Sequence, residues 1–363
     1  MSSIFRLTLL IISLLGLQSV FAKQSAGLLM TLPNTFNSPA SSDLDSHGNI
    51  YFTSPNFHND TLIKAGLMTT PALPTIGKVD KDNKLSTWYT FTDADMEPTT
   101  GKVAPMGIAF GPDGNAYVAD MQMWFNDQYK SRILRINVVE GKAVGTDVVA
   151  SGLLFPNGLV FKGCDLFVSD TVLKVQDGKT ISGIYKLNLA ELSADRPAHI
   201  EPFISNRIHD KHLFERFISS GKLKFGANGL TIDGVGNIYT TIMEDGSVLK
   251  TTMDKYNNKV ETRLFNDGMR ATDGIKWDKR TNKLYVTDLF ANAIYSIDMQ
   301  GDRALIAQNG DTNGATGEID AASELIIRGK DMIIMNFDAV FDSPEMVNSQ
   351  ADAPHTLSII HLQ

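Results

Sequence analysis

An internal repeat is the feature that most constrains what this chain can fold into. Its unit is an apolar strand, a tight turn with glycine, a second strand that often ends in aspartate, a longer loop and a third strand of alternating polarity. Four clear copies begin at residues 105, 156, 227 and 272, and two weaker copies begin near residues 43 and 324. Six such copies, spaced roughly 45 to 70 residues apart, predict an all-β fold: a six-bladed β-propeller of four-stranded antiparallel blades around a central channel.

The closure of this ring is expected to involve the N-terminal strand. The sixth copy offers three strands, the last over residues 355–362, and no fourth strand follows it. Residues 27–32 have the sequence of a strand and could pair with this last strand. Such pairing would remove the exposed edges that an open sheet presents. We therefore predict a single β-propeller domain over residues 23–363, closed by the mature N-terminal strand.

Residues 1–22 have the pattern of a secretory signal peptide. Arg6 is followed by an apolar run of about 11 residues and by a small-residue cleavage site that ends at Ala22. The alternative is an uncleaved anchor, but the run is shorter than the ~20 apolar residues that a membrane-spanning helix needs. The pattern predicts a secreted or periplasmic protein that has no membrane span after cleavage.

The charge balance argues against nucleic acid as a partner. The chain has 41 acidic and 33 basic residues, a net charge of −8, and its Lys and Arg residues form no run longer than two. This composition suits a small-molecule substrate or ligand, with or without a cation, better than nucleic acid or an anionic membrane. The single cysteine, Cys164, leaves no intramolecular disulfide and is interpreted as a structural thiol, because no histidine lies near it in the sequence.

Long loops are expected to collect at one mouth of the predicted channel. The turns between first and second strands are short, whereas the segments 54–75, 121–131, 206–224 and 336–355 are long and are assigned to the opposite end. Loops on a rigid scaffold often carry binding and catalytic residues, so this mouth is predicted to be the working face. The alternative is tolerated insertion without function.

Residues 207–221 within one of these loops have the pattern of a short amphipathic helix that could form a lid. Its apolar side would carry Ile208, Phe214, Phe217 and Ile218. His209 and His212 lie on it at a spacing of three, which allows a shared metal. Because no third ligand is visible in the sequence, they are interpreted as exposed lid histidines.

The starts of the innermost strands carry the candidate site. When the four clear copies are aligned, equivalent positions hold Met106, Asn157, Asn228 and Asp273. Rotational symmetry would bring these side chains together at the channel axis. Two carboxamides and one carboxylate offer the oxygen ligands of a hard divalent cation such as calcium, whereas zinc would require His or Cys. The alternative is that the Asn-Gly and Asp-Gly steps only shape the backbone, since these residues tolerate unusual dihedral angles.

Further aspartates are expected at the same mouth. Asp120, Asp170 and Asp288 end the second strands of three copies. They are interpreted chiefly as acceptors of backbone hydrogen bonds in the following loop, and together they would make the rim negative and assist cation capture.

Three motifs resemble a known family. Asn157-Gly158-Leu159, Asn228-Gly229-Leu230 and Asp273-Gly274-Ile275 are similar to the metal-binding strand starts of the gluconolactonase and regucalcin (senescence-marker-protein) family and, more distantly, of diisopropyl fluorophosphatase and the paraoxonases. The resemblance implies one catalytic calcium or similar ion and the hydrolysis of lactones or other esters. It also implies that Asp273 is a metal ligand and the candidate catalytic base.

Two positions depart from the pattern of these families. Ala40 stands where family members usually have Glu, and Met106 stands where diisopropyl fluorophosphatase has Asn. Asp43, Glu318 or Asp320 are candidates to replace the missing carboxylate.

Two functions follow from the sequence. The first is a divalent-cation-dependent hydrolase, favoured by the three oxygen donors in a channel. The second is a non-catalytic ligand- or protein-binding propeller with a structural ion, favoured by the two departures.

Overall fold

The computed structural model describes residues 24–363. The predicted signal peptide over residues 1–22 lies outside this range. Within it, no helix combines the length and the apolar character that crossing a membrane requires.

Residues 24–363 form six antiparallel sheets, which are the blades of a six-bladed β-propeller, so the predicted fold class is confirmed. The first strands of the six blades contact one another in a closed ring around the channel. The first strand is β1 (Gly27–Thr31). Blade 1 consists of β2 (Ser42–Leu44), β3 (Ile50–Ser54), β4 (Thr75–Val79) and β5 (Leu85–Thr90), and blade 2 of β6 (Pro105–Phe110), β7 (Ala116–Asp120), β8 (Ser131–Val139) and β9 (Lys142–Leu153), with β13 (Ala198–His199) added later in the chain; blade 3 consists of β10 (Pro156–Lys162), β11 (Asp165–Gln176), β12 (Lys179–Asn188) and β14 (Leu213–Ser219). Blade 4 consists of β15 (Ala227–Ile232), β16 (Ile238–Ile242), β17 (Ser247–Met253) and β18 (Lys259–Asn266), blade 5 of β19 (Thr272–Asp278), β20 (Lys283–Asp288), β21 (Ala293–Ile297) and β22 (Arg303–Gln308), and blade 6 includes β23 (Ala322–Arg328), β24 (Asp331–Asn336) and β25 (Thr356–His361).

Helical structure is sparse in the described part of the chain. The α-helix α1 (Asn59–Lys64) lies in the loop between β3 and β4. Short 3-10 turns cover Asp93–Asp95, Leu189–Glu191, Met243–Asp245 and Leu289–Ala291.

The N-terminal strand completes blade 6. β1 pairs antiparallel with β25, with Gly27 opposite Ile359 and Thr31 opposite Thr356. The sheet order is β1-β25-β24-β23, so the last blade draws strands from both ends of the described chain. This pairing covers the edge that β25 would otherwise expose. A fifth strand, β13, adds in parallel to the outer edge of blade 2.

The helix predicted over residues 207–221 is wrong. Strand β14 occupies the second half of this segment and forms the outer edge of blade 3, where Ser219 lies opposite Thr180 and Leu213 opposite Tyr185. Phe217 is buried and the next residue, Ile218, is exposed, which is the period of a strand. A short apolar run fits both the helical period and the strand period. Pairing with β12 decides in favour of the strand.

Candidate functional site

The start of each innermost strand contributes one residue to a ring at one mouth of the channel. In blade order the ring residues are Ala40, Met106, Asn157, Asn228, Asp273 and Ser323. All except Asn228 line a single pocket. Asn228 hydrogen-bonds the carboxyl group of Asp273. Three residues proposed as metal ligands therefore lie in or directly beside one pocket.

A repeated β-bulge aims these side chains. In blades 3, 4 and 5 the pairing register shifts between the first residue of the inner strand and the residue three positions later, for example between Pro156 and Leu159. A bulge turns a side chain away from the regular alternation of a strand. The shift spans Asn157, Asn228 and Asp273 in their respective blades, so the same local device directs all three.

The glycine that follows each ring residue makes room for the neighbouring blade. Gly158 and Gly229 do not adopt the left-handed conformation. A Cβ at Gly158 would instead lie 2.5 Å from the carbonyl oxygen of Asn228, and a Cβ at Gly229 would lie 2.5 Å from that of Asp273. Unusual backbone angles therefore do not explain these glycines, which allow adjacent ring residues to approach.

Hydroxyl groups on the second strands hold the ring in place. Ser169 Oγ accepts a hydrogen bond from the N–H of Gly158 at 2.7 Å and donates to the carbonyl of Asn228 at 2.5 Å. Thr241 Oγ1 likewise joins the N–H of Gly229 at 2.7 Å to the carbonyl of Asp273 at 2.6 Å. Each hydroxyl joins two blades, so the backbones of Asn228 and Asp273 are fixed relative to the preceding blade.

Asp273 is a carboxyl group without a cationic partner. Its side chain is partly buried, and part of its surface faces the pocket. Burial raises its pKa well above the usual value, the nearby charge of Glu324 raises it further, and the hydrogen bond from Asn228 opposes both effects. Among residues 24–363 no Lys, Arg or His forms an ion pair with it. A divalent cation would relieve this uncompensated charge, so the oxygen donors of Asn157, Asn228 and Asp273 fit such an ion.

An ion cluster deeper in the channel was missed by the sequence analysis. Lys276 Nζ contacts Glu324 Oε2 at 3.0 Å. Asp43 accepts hydrogen bonds from the backbone N–H groups of Phe110 and Leu44, both at 2.8 Å; burial raises its pKa and the charge of Lys276 opposes the rise. Asp43 thus belongs to this cluster and does not line the pocket. The aligned copies carried a signal for this cluster, because Lys276 occupies the position in its copy that Asp43 occupies in the first copy.

Blade 6 contributes a carboxylate that lies close to Asp273. Glu324 stands one residue after the ring position and lies directly over Gly274, close enough to Asp273 to raise its pKa. The two other suggested replacements lie elsewhere: Glu318 binds Thr316, and Asp320 binds Asn348.

Aromatic side chains form the wall of the pocket. We call this group the aromatic collar. Phe57, which packs against Trp124, belongs to it together with the rings that line the pocket: Trp124, Phe155, Phe225, Phe337 and Phe341. Successive ring centroids lie 4.9 Å apart for Phe57 and Trp124, 5.6 Å for Trp124 and Phe155, and 5.7 Å for Phe155 and Phe225. The pocket therefore combines a polar floor with an apolar wall, as small-molecule sites commonly do.

Asp120, Asp170 and Asp288 do not make the rim negative, because each is at most 1% exposed. Asp170 accepts hydrogen bonds from the N–H groups of Leu154 and Phe155 at 3.0 and 2.6 Å. Asp120 and Asp288 likewise accept hydrogen bonds from backbone N–H groups just before the inner strand of their own blades, and Asp120 also pairs with Arg132. These aspartates fix the segment that leads into the inner strand, rather than only the loop that follows the second strand.

The pKa of Asp170 gives a pH-dependent stability that can be measured. Burial raises this pKa to about 7, although backbone N–H groups lower it. A carboxyl group with a higher pKa in the folded state binds more protons when folded, so the free energy of unfolding should fall as pH rises from about 4 to 7, by up to ~1.4 kcal/mol per pH unit from this group. Urea unfolding at several pH values should show a smaller slope for Asp170→Asn. An unchanged slope would contradict the assignment.

His209 and His212 lie away from the channel mouth. They directly precede β14 in the chain, and β14 begins at the end of blade 3 where β12 ends. The inner strand β10 begins at the opposite end of the blade. His212 Nδ1 lies 2.6 Å from Asp210 Oδ1, and His209 Nδ1 lies 3.0 Å from the carbonyl of Asp210. The expected placement of these histidines on a lid is therefore wrong, and the 206–224 segment does not belong wholly to the working face.

Comparison with known proteins shows the fold and leaves the chemistry open. No protein-family model and no curated protein matches the sequence. Among solved structures, a calcium-binding regucalcin from Agrobacterium tumefaciens superimposes with a TM-score of 0.54 at 11% identity, covering 93% of this chain and 92% of that chain. A gluconolactonase from Xanthomonas campestris gives 0.52 at 11% identity, covering 94% and 96%. An aldose sugar dehydrogenase from Streptomyces coelicolor, solved with PQQ, gives 0.53 at 15% identity, covering 92% and 97%.

At such identities the likeness concerns the fold alone, and one fold hosts several chemistries. This chain is a six-bladed propeller similar in architecture to the gluconolactonase and regucalcin propellers.

Proposed function

We propose that this protein is a divalent-cation-dependent hydrolase of lactones or other esters. The observation that carries the proposal is the Asp273 carboxyl group, which faces the pocket beside Asn157 and Asn228 and has no cationic partner among residues 24–363. These three residues would hold the ion, and calcium suits an all-oxygen donor set. When bound, such an ion polarises an ester carbonyl and stabilises negative charge on its oxygen.

The residues of the chain have separate roles in this proposal. Asp273 accepts the proton of the attacking water as a carboxylate, since a bound cation lowers the pKa that burial and Glu324 raise in its absence. Asn228 orients the Asp273 carboxyl group through their hydrogen bond. The aromatic collar excludes bulk water from the pocket and thereby strengthens the electrostatic interactions within it.

The aromatic collar also suggests the class of substrate. Its phenylalanine rings offer no hydrogen-bond partners, and the single indole N–H of Trp124 cannot serve several hydroxyl groups. Burying such groups without partners is costly. Esters or lactones with an apolar or aromatic group should therefore be better substrates than polyhydroxylated sugar lactones.

We keep export from the cytoplasm as part of the proposal, supported by the pattern of residues 1–22.

Removal of the cation is the direct test. We expect the mature protein to hydrolyse members of a panel of aryl esters, aliphatic lactones and a sugar lactone, to lose this activity after chelation, and to regain it when calcium is added. Turnover should be measured at matched concentrations before and after dialysis against the chelator. Activity that survives complete cation removal would contradict the proposal.

A second candidate is a non-catalytic propeller that binds an apolar ligand. Ala40 and Met106 favour it, because both contribute apolar surface to the pocket where the resemblance leads one to expect Glu and Asn. Cation binding without turnover on any member of the panel would select this function.

A further inference from the structure

Two loops meet at the seam between blade 1 and blade 6, where the N-terminal and C-terminal parts of the propeller join. The loop between β3 and β4 carries His58, and the loop between β24 and β25 carries Asp338 and His355. We propose that His58, Asp338 and His355 form a binding site for a transition-metal ion of the zinc class, separate from the ring of residues on the pocket floor.

The geometry is close to that of a zinc site. His58 Nδ1 lies 2.8 Å from His355 Nε2, and His355 Nε2 lies 3.9 Å from Asp338 Oδ2. One ligand atom from each residue lies within 4.8 Å of the others. Ligands at zinc distances of 2.0–2.1 Å in a tetrahedron are about 3.3 Å apart. The two imidazoles would have to separate by only roughly half an ångström for an ion to enter between them.

Unsatisfied polar atoms give an independent indication of a ligand. Asp338 and His355 are each 2% exposed. Asp338 Oδ1 and His355 Nδ1 are buried and make no hydrogen bond within residues 24–363. A buried carboxylate oxygen without a partner is uncommon, and an ion bound to it is a frequent explanation. His355 Nδ1 is not the proposed ligand atom, because it lies across the ring from Nε2; the second nitrogen of a metal-bound imidazole usually holds a further partner such as water. The other carboxylate oxygen, Asp338 Oδ2, is held by the N–H of Asp352 at 2.7 Å, which fixes the orientation of the group.

The chemistry of the donors selects the class of ion. Two imidazole nitrogens and one carboxylate are typical ligands of zinc and related transition metals. A competing arrangement exists, because Asp320, Asp338 and Asp352 also lie within reach of one another. Three carboxylates would favour a hard cation such as calcium. We favour the histidine site because the imidazole nitrogens already converge and Asp338 completes a set of three.

The position of the site gives it a structural role. His58 and His355 are separated by 297 positions in the chain, and the chain has one cysteine and hence no internal disulfide. A metal bound there would join the two sides of the seam. It would also fix two members of the aromatic collar, because Phe57 precedes His58 and the ring of Phe337 lies 6.2 Å from that of His58.

Zinc binding to the mature protein tests the proposal. The protein is stripped with chelator, and zinc chloride is titrated in while heat is recorded; thermal unfolding is followed with and without zinc. We expect one zinc ion per chain and a higher Tm. His355→Gln and His58→Gln should each weaken zinc binding by at least roughly 100-fold, because even the loss of a residue that only supports a ligand can cost that much. His47→Gln is the matched control, because His47 is exposed in a turn of blade 1.

Further measurements keep the outcomes distinct. Cobalt(II) bound in place of zinc should give a tetrahedral visible spectrum that both histidine variants lose while circular dichroism shows them folded. Asp273→Asn should bind zinc like the wild type, so failure of the hydrolase proposal does not affect this one. The proposal is overturned if zinc does not bind, or if both histidine variants bind it normally. It is also overturned if calcium binds instead and is lost only in Asp320→Asn and Asp352→Asn.

Discussion

Asp273→Asn should lower kcat/KM for the best ester substrate by about 10³-fold, within the range that loss of a general base produces. Asparagine keeps the size of the side chain and its hydrogen bond to Asn228, but it removes the negative charge and the ability to accept a proton. Calorimetric titration with calcium should show weaker binding in the same variant, because a carboxylate is the strongest of the three proposed ligands.

The matched control for this experiment is Asp82→Asn. Asp82 is an exposed aspartate in the turn between β4 and β5, and the ion pair that it forms with Lys81 is on the surface. This variant should retain the turnover, the calcium affinity and the Tm of the wild type. If Asp273→Asn keeps turnover within a few-fold of the control while remaining folded, Asp273 is neither the base nor an essential ligand.

The fold was predictable because its signal is repeated. The four clear copies place a ring residue, a glycine and an apolar strand at the same spacing. The two weaker copies repeat the strand pattern without that glycine, so six weak local patterns support one architecture. The N-terminal strand was predicted correctly from the lack of a fourth strand in the sixth copy. The error over residues 207–221 arose where the repeat is interrupted, since Phe214, Phe217 and Ile218 fit both a helix and a strand until the pairing partner is known.

The candidate site was less predictable, because alignment gives a position and does not give a contact. Asn157 and Asp273 could be found from their equivalent positions, and both face the pocket. Glu324 could not be recognised as a neighbour of Asp273, because it occupies a glycine position in the alignment and reaches its place over Gly274 only through the blade packing. The convergence of His58 and His355 left no local pattern in the sequence, because it depends on two loops that lie at opposite ends of the chain.

The same packing predicts that the glycines after the ring residues tolerate no side chain. In Gly229→Ala the new Cβ would lie 2.5 Å from the carbonyl oxygen of Asp273, 3.0 Å from the N–H nitrogen of Ile275 and 3.1 Å from Cα of Gly274. All three are backbone atoms of blade 5, so no flexible side chain can yield. We expect blade 5 to shift and the protein to lose about 1–3 kcal/mol of unfolding free energy, the usual cost of overpacking.

The displacement in Gly229→Ala should also reach the site, because Asp273 is the residue that the new methyl group contacts. Calcium affinity and turnover should fall together with stability, even though no proposed ligand has changed. Gly310→Ala is the matched control: a methyl group at Gly310 would have no heavy atom within 4 Å, and the residue has no left-handed backbone angle, so alanine there should be neutral or stabilising by up to about 1 kcal/mol. Urea unfolding and calcium titration of the two variants measure both effects. Equal stability and equal calcium affinity in Gly229→Ala and Gly310→Ala would show that the inter-blade contact at Gly229 does not position Asp273.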